Sequence, residues 1–163
     1  MRGIRGRGLF GVLLLLAAPT LGAQTAPPDA ESQVMKVVDE LFVAMRAADS
    51  ATVRTLFHPE LEKMASSFLQ RDGTPVVRFG DLEGFANSVG AAAPGDFDER
   101  LGRAEIHMHG NLATVFTPYA FYLKEQLSHC GVNVFLIART GDDWKIVGLA
   151  DTRRRQDCEE WLP

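Results

Sequence analysis

Polar side chains that can bind or catalyse interrupt an otherwise apolar segment, SHCGVNVFLIAR, at residues 128–139. Because side chains alternate between the two faces of a strand, His129, Asn133 and Phe135 share one face of this predicted strand, and Cys130 lies on the other. A histidine titrates near neutral pH, and an asparagine amide both donates and accepts hydrogen bonds. The alternation therefore predicts a strand face on which two polar groups stand beside an apolar floor.

The preceding strand, GNLATVFTPYAFYL, supplies neighbours for this face. A three-residue turn at 124–126 sets Phe121 opposite His129 and continues the pairing down both strands. We predict a mostly apolar ligand site with a few oriented donors and acceptors, formed by Thr117, Tyr119, His129, Asn133 and Phe135. A two-residue turn would instead bring Tyr122 to this face, and Pro118 is a position where a bulge can re-aim the strand.

His129 is the candidate catalytic residue of this site, as a general base whose pKa burial or a partner can tune. The alternatives are a contact to ligand without catalysis, or a histidine at the strand end whose ring bonds a backbone carbonyl. A four-residue turn at 140–143 sets Arg139 opposite Trp144 and turns Asp151 to the opposite face. A pair between Asp151 and His129 is therefore not expected.

The chain has two cysteines, Cys130 and Cys158, so one intramolecular disulfide is possible. In an oxidising compartment we predict that they pair, and closing a loop of this size stabilises a fold by about 3 to 4 kcal/mol in the chain-entropy model. The alternative is a nucleophilic thiolate at Cys130 activated by His129. Adjacent strand residues point to opposite faces, which disfavours that arrangement.

The N-terminus has the order basic, apolar, small that is typical of a secretory signal peptide, predicted over residues 1–23. The alternative is an uncleaved membrane anchor, but the apolar stretch is shorter than the ~20 residues that span a bilayer. Removing Arg2, Arg5 and Arg7 from the 17 basic residues leaves 14 against 21 acidic ones, a net charge of about −7. This balance disfavours nucleic acid or an anionic membrane as partner, and we expect a periplasmic or extracellular protein.

The rest of the chain reads as a short lead at 24–30, one domain at 31–158 and a tail at 159–163. Three helical patterns are expected, a long one from Glu31, a short one after Asp49 or Ser50, and a third after Asp81. A hairpin around Asp72–Gly73 and four long strands complete the pattern. We predict an α+β domain in which the long first helix covers the concave face of a curved antiparallel sheet.

This order of elements, together with the strands GNLATVFTPYAFY, SHCGV and DWKIVGLADT, resembles the nuclear transport factor 2-like (NTF2-like) superfamily, in particular its secreted SnoaL-like and ketosteroid-isomerase-like single domains. The resemblance covers about residues 30–155. It implies a cone-shaped barrel that holds a small apolar or cyclic ligand, and a homodimer formed through the sheet. Members include isomerases, cyclases, dehydratases and pure binding proteins, so fold alone does not fix a reaction.

The expected function is a secreted domain that binds a small molecule, without a cofactor or metal. One alternative is an enzyme with His129 as general base, and another is a protein-interaction module with a vestigial pocket. Isomerase chemistry of the ketosteroid type is disfavoured because the strands assigned to the pocket contain no interior carboxylate except the doubtful Asp151. His107 and His109 share a strand face but are expected at an exposed strand end without further ligands, so no metal is assigned to them.

Overall fold

The computed structural model describes residues 29–159. The predicted signal peptide at 1–23, nearly all of the lead at 24–30 and most of the tail at 159–163 lie outside the described residues.

Three helices form where the apolar periodicity predicts them: α1 at Ala30–Arg46, α2 at Ser50–Leu56 and α3 at Leu82–Gly90. Asp49 begins α2 by accepting a hydrogen bond from the Thr52 backbone N–H at 2.9 Å. Asp81 begins α3 in the same way, with the Gly84 N–H at 2.7 Å. Both carboxylates satisfy N–H groups that have no partner within the helix, so both helix starts are confirmed.

The described chain contains one seven-stranded sheet, with strands in the spatial order β2-β1-β7-β6-β5-β3 and with β4 also paired to β5. The strands are β1 Met64–Leu69, β2 Pro75–Gly80, β3 Phe97–Leu101, β4 Glu105–His109, β5 Leu112–Leu123, β6 Gln126–Thr140 and β7 Asp143–Arg153. The predicted hairpin is β1–β2 and the predicted meander is β5–β6–β7. The single extended run predicted after residue 97 is instead split into β3 and β4, because one extra residue lies between the pairs Leu101–Tyr119 and Glu105–Phe116.

The expected antiparallel barrel is wrong in two respects, although the α+β class is confirmed. Strand β1 runs parallel to β7, so the sheet is mixed. The chain already runs alongside β7 at Phe57, which forms a parallel bridge with Ile146, and β1 continues in that direction. The sheet is curved but does not close, because its end strands β2 and β3 are not paired with each other.

Helix α1 packs on the inner face of the sheet and makes the main core with it. Phe42 meets Phe135 of β6 edge-to-face at 6.1 Å between ring centroids. At the other end of α1, Gln33 Oε1 accepts a hydrogen bond from the Trp144 indole N–H at 3.1 Å. Val34, Val38 and Leu41 of α1 and Val115, Phe135, Ile137 and Ile146 of the sheet are fully buried. The helix is thereby fixed over the strands that carry the predicted site.

The β5–β6 pairing has the predicted register from Phe121–His129 onward, but its turn is shorter than predicted and is followed by a bulge. The turn contains only Lys124 and Glu125, both with positive φ, as in the two-residue turns that match strand twist. A bulge follows, in which Ser128 is the extra residue between the pairs Tyr122–Leu127 and Phe121–His129. The bulge restores the register that a three-residue turn would give, so Tyr119 keeps its inward position.

The β6–β7 pairing contains a second bulge, and here the sequence-based register is wrong. Arg139 pairs with Trp144 as predicted, but Val147 is an extra residue between the pairs Ile137–Ile146 and Leu136–Gly148. Beyond this bulge every β7 side chain changes face. Asp151 therefore pairs with Asn133 on the inner face, opposite to the predicted orientation.

Candidate functional site

A cavity of about 350 Å³ lies between the inner face of the sheet and the helices α1 and α3. Its volume is at the lower end of the range for small-molecule sites. Most of its wall is apolar and comes from both layers of the fold, with Leu41, Phe42, Met45, Met64, Phe85, Phe135 and Leu149 as the apolar lining. Phe135 is the residue of the predicted site that belongs to this apolar lining.

Polar side chains gather at one part of this wall, on the central strands and their neighbours. Strand β3 contributes Glu99, β5 contributes Tyr119, β6 contributes His129 and Asn133, and β7 contributes Asp151 and Arg153, with Ser66 of β1 beside them. They meet because the strand pairs Phe121–Glu99, Phe121–His129 and Asn133–Asp151 place them on one face.

Asp151 is the most fully bonded group of this cluster. Its Oδ1 accepts from the Ser66 hydroxyl at 2.5 Å, and its Oδ2 accepts from Arg153 Nε at 2.6 Å. The Tyr119 hydroxyl is also within hydrogen-bond distance of Asp151 Oδ2, at 3.2 Å. The side chain of Asp151 is only 11% exposed, and a charge-assisted bond to a guanidinium balances its burial. Asp151 of β7 thus links its own strand to β1 through Ser66 and, across β6, to β5 through Tyr119.

Glu99 has a different environment. Its Oε1 accepts a hydrogen bond from the Asn133 side-chain amide at 2.6 Å, which is its one side-chain donor among residues 29–159. Burial in the cavity wall raises the pKa of Glu99 from 4.5 to about 7, with the Asn133 hydrogen bond opposing the shift and the negative charge of Asp151 adding to it. Glu99 can therefore hold or release a proton near neutral pH.

His129 lines the cavity with its ring half-buried among aromatic side chains. The ring centroid lies 5.7 Å from that of Tyr119 and 5.0 Å from that of Phe121, and Nδ1 is 3.1 Å from Ser128 Oγ. Burial, together with the positive charge of Arg153, lowers the pKa of His129 to about 4. The imidazole is thus neutral at pH 7, and no carboxylate of the described chain lies within hydrogen-bond distance of it.

Tyr119 and Thr117 share the inner face but differ in their relation to the cavity. Tyr119 lines it, and its hydroxyl lies 3.0 Å from the Thr152 carbonyl oxygen. Burial raises the pKa of Tyr119, so the phenol stays protonated and acts as a donor. Thr117 is fully buried and donates toward the carbonyls of Gly102 and Pro118, at 3.3 and 3.2 Å, so its hydroxyl stabilises the β3–β4 break and does not line the cavity.

The prediction that the pocket strands contain no interior carboxylate except the doubtful Asp151 is wrong, because both Asp151 and Glu99 line the cavity. Asp151 was turned outward by the unrecognised bulge. The segment FDERL is rich in charged residues, but the alternation of its side chains indicates which of them point inward. Phe97, Glu99 and Leu101 share one face, and two apolar neighbours on that face indicate that it points inward.

The predicted disulfide between Cys130 and Cys158 is present, with 5.6 Å between the two Cα atoms and 28 residues of separation. Cys130 is fully buried on the outer face of β6, opposite to His129. Backbone hydrogen bonds of 2.9 Å in both directions join Cys130 to Arg154 beside the bridge. No free cysteine occurs in the described chain, so the nucleophilic-thiol alternative does not apply to this structure.

His107 and His109 lie exposed on β4, and residues 29–159 contain no group of three or more side chains placed to ligate a metal ion. In the same range, no helix has both the length and the apolar character needed to cross a membrane.

This fold can be compared with the folds of known proteins. No protein-family model matches the chain, and no curated protein matches it significantly. Solved structures do match. An NTF2-like protein of unknown function from Shewanella baltica aligns with 81% of this chain and 99% of its own, at 13% identity and a TM-score of 0.60.

Two further solved NTF2-like structures also match along most of their length at low sequence identity. An NTF2-like protein of unknown function from Methylobacillus flagellatus aligns with 82% of this chain and 98% of its own, at 11% identity and a TM-score of 0.59. A proposed dehydratase of the NTF2-like family from Streptomyces avermitilis aligns with 79% and 99%, at 15% identity and a TM-score of 0.55. The chain therefore has the NTF2-like fold, as the sequence resemblance implied.

Proposed function

We propose that this protein binds a small molecule with an apolar body and one polar end, inside the cavity between the sheet and helices α1 and α3. The supporting observation is the division of the cavity wall into an apolar part, with Phe42 and Phe135, and a polar part, with Glu99, His129 and Asn133. Ligand sites in proteins combine apolar walls with a few placed polar groups in this way.

Native mass spectrometry of the mature protein tests this proposal by detecting a co-purified ligand. A second measurement uses the neutral apolar fluorophore N-phenyl-1-naphthylamine as a probe of cavity binding. Ser88→Trp places a large side chain at the cavity wall on α3, while Val43→Trp places the same side chain on the exposed surface of α1. We expect Ser88→Trp to weaken probe binding about tenfold and Val43→Trp to leave it unchanged. Equal binding by both variants would contradict the proposal.

Acid–base catalysis is a second candidate, and the raised pKa of Glu99 favours it. A general base works best when its pKa lies near the working pH, and Glu99 meets this condition better than His129, whose pKa is about 4. The test measures by NMR how fast deuterium from D₂O replaces the hydrogens next to the carbonyl group of cyclohexanone when the protein is present. Glu99→Gln should slow enzymatic exchange at least about 100-fold, and His129→Gln should slow it much less. Exchange equal to buffer in the wild type would remove this candidate.

We further propose that the protein is secreted and forms a homodimer. The disulfide is compatible with an oxidising compartment, which supports export. Phe116, Val134 and Leu136 are 42, 41 and 38% exposed on the outer face of β5 and β6, and they form an apolar strip that a second copy of the chain would cover. Native mass spectrometry should give a dimer mass for the wild type and a monomer mass for Val134→Lys. A wild-type monomer would refute the dimer.

A further inference from the structure

The ionisable groups that line the cavity are unequally divided by sign. The carboxylates are Asp81, Glu99 and Asp151, and the one permanent cation is Arg153. Arg153 already forms an ion pair with Asp151, with Nε and Oδ2 2.6 Å apart. Arg153 also opposes the rise in the pKa of Glu99 through space, but neither Glu99 nor Asp81 has a cationic side chain within 4 Å in the described part of the chain.

The two remaining carboxylates differ in position. Asp81 is exposed, and its Oδ1 accepts a hydrogen bond from the N–H of Gly84 at the start of α3. Glu99 lies in the wall and accepts one amide hydrogen bond from Asn133. A carboxylate in a largely apolar wall is poorly stabilised by a single neutral donor, so a cation brought by a ligand would find its partner there.

The aromatic side chains of the cavity suit the same kind of ligand. Phe42, Phe85 and Phe135 line it together with Tyr119 and the neutral imidazole of His129. Ring faces attract cations, and ammonium ligands bind well where rings and a carboxylate meet. An anionic ligand would instead meet Glu99 and Asp81, which form no ion pair among residues 29–159, while Arg153 is already paired with Asp151.

From this distribution we propose that the cavity selects a small organic amine, with its apolar body against the phenylalanines and its ammonium group beside Glu99. This inference rests on the proposed binding function and names the charge class of the ligand. It excludes carboxylate ligands and ranks neutral alcohols below amines of the same shape.

Three probes with one shape and different charge test the proposal: cyclohexylmethylamine, cyclohexylmethanol and cyclohexanecarboxylate. Isothermal titration calorimetry at about pH 8, where Glu99 is ionised, should show the amine binding about 10 to 100 times more tightly than the alcohol. The carboxylate should show no measurable binding. Glu99→Gln should reduce the affinity for the amine to that for the alcohol, while the exposed control Glu105→Gln should leave the ranking unchanged.

A second readout does not depend on a variant that must fold. If the ammonium group pairs with Glu99, binding of the amine to the wild type at about pH 7 releases about half a proton, measured as a dependence of the binding heat on the ionisation enthalpy of the buffer. The other groups facing the cavity are Asp81, Asp151, Arg153, His129 and Tyr119, and Glu99 is the one among them with a pKa raised to about 7.

Two results would overturn the inference. Binding of the alcohol as tightly as the amine would refute the charge selection and leave the cavity as a binding site. Absence of binding by all three probes would also refute the amine class, and the co-purified ligand and the Ser88→Trp comparison would then decide separately whether the cavity binds anything.

Discussion

Glu99 is a carboxyl group whose ionisation depends strongly on its surroundings. Its carboxyl group is shifted to a pKa of about 7 by burial, so the folded protein holds a proton that the unfolded chain releases at about pH 4.5. Between these values the unfolded state binds fewer protons than the native state. The contribution of Glu99 to stability is thus complete below about pH 4.5 and is lost as the pH rises through 7.

We predict that the free energy of unfolding of the wild type, relative to Glu99→Gln, falls by about 1 to 2 kcal/mol from pH 4.5 to 8, since the open cavity screens part of the charge. Urea titrations of both proteins across this range measure the difference. Parallel stability curves would contradict the assignment.

His129 is predicted to have the opposite pH dependence. Burial lowers its pKa to about 4. Between pH 6.5 and 4 the unfolded chain therefore binds a proton that the native protein does not bind. Relative to His129→Gln, the wild type should lose about 1 to 2 kcal/mol as the pH falls from 6.5 to 4. A wild type that becomes relatively more stable on acidification would show that the imidazole is charged in the fold.

The residues that could be placed from the sequence are those whose position depends on alternation alone. His129, Asn133 and Phe135 lie on the predicted face because strand period determines it, whereas Tyr119 shares that face only because the bulge at Ser128 restores the register. Asp151 could not be placed, because its face depends on the bulge at Val147, for which the apolar sequence around it gives no signal. Local pattern predicts which residues share a strand face, but not where a strand gains a residue.

At the level of elements, the close approach of the end of β7 to β6 depends on Gly131. A Cβ atom at position 131 would overlap the carbonyl oxygen of Thr152 on β7. The same oxygen accepts from the Tyr119 hydroxyl, and the Thr152 hydroxyl oxygen accepts from the Val132 N–H at 3.0 Å. The missing side chain lets the end of β7 approach β6 closely enough for these bonds.

We predict that Gly131→Ala destabilises the protein by about 3 kcal/mol, because the clash is with backbone and no flexible side chain can yield. Gly80→Ala is the matched control, since a Cβ there meets nothing within 4 Å, and it should change stability by less than about 0.5 kcal/mol. Thermal unfolding of both variants measures the difference. Similar melting temperatures would show that β7 can shift at little cost.

The elements themselves were largely predictable. Apolar periodicity predicts all three helices, capping aspartates mark the starts of α2 and α3, and short links predict the antiparallel pairing of β5, β6 and β7. The break between β3 and β4 was not, because it depends on an extra residue in the pairing with β5, which the sequence does not mark.

At the level of the whole molecule, the disulfide fastens the end of the chain to the middle of the sheet. Cys158 follows β7 directly, and its bond to Cys130 holds the segment that carries Asp151 and Arg153 against β6. The pairing was predictable because two cysteines allow one bridge. The parallel β1–β7 contact and the open sheet were not, since they depend on how the helices and strands pack in three dimensions.

We predict that replacing both cysteines by serine lowers the free energy of unfolding by about 3 to 4 kcal/mol, the value expected for a loop of this length. Urea denaturation of the double variant, compared with the wild type with and without reductant, measures the loss. Reduced wild type and double variant should agree. A double variant as stable as the oxidised wild type would show that the bridge contributes nothing to the fold.

The two-residue turn at Lys124–Glu125 and the bulge at Ser128 together make the β5–β6 hairpin sensitive to its own length. Deleting one residue there would exchange inside for outside along the start of β6, turning the imidazole toward solvent and a sulfur toward the cavity. Losing or gaining two residues would preserve the orientation of both. Related natural sequences should therefore differ in the length of this hairpin by an even number of residues.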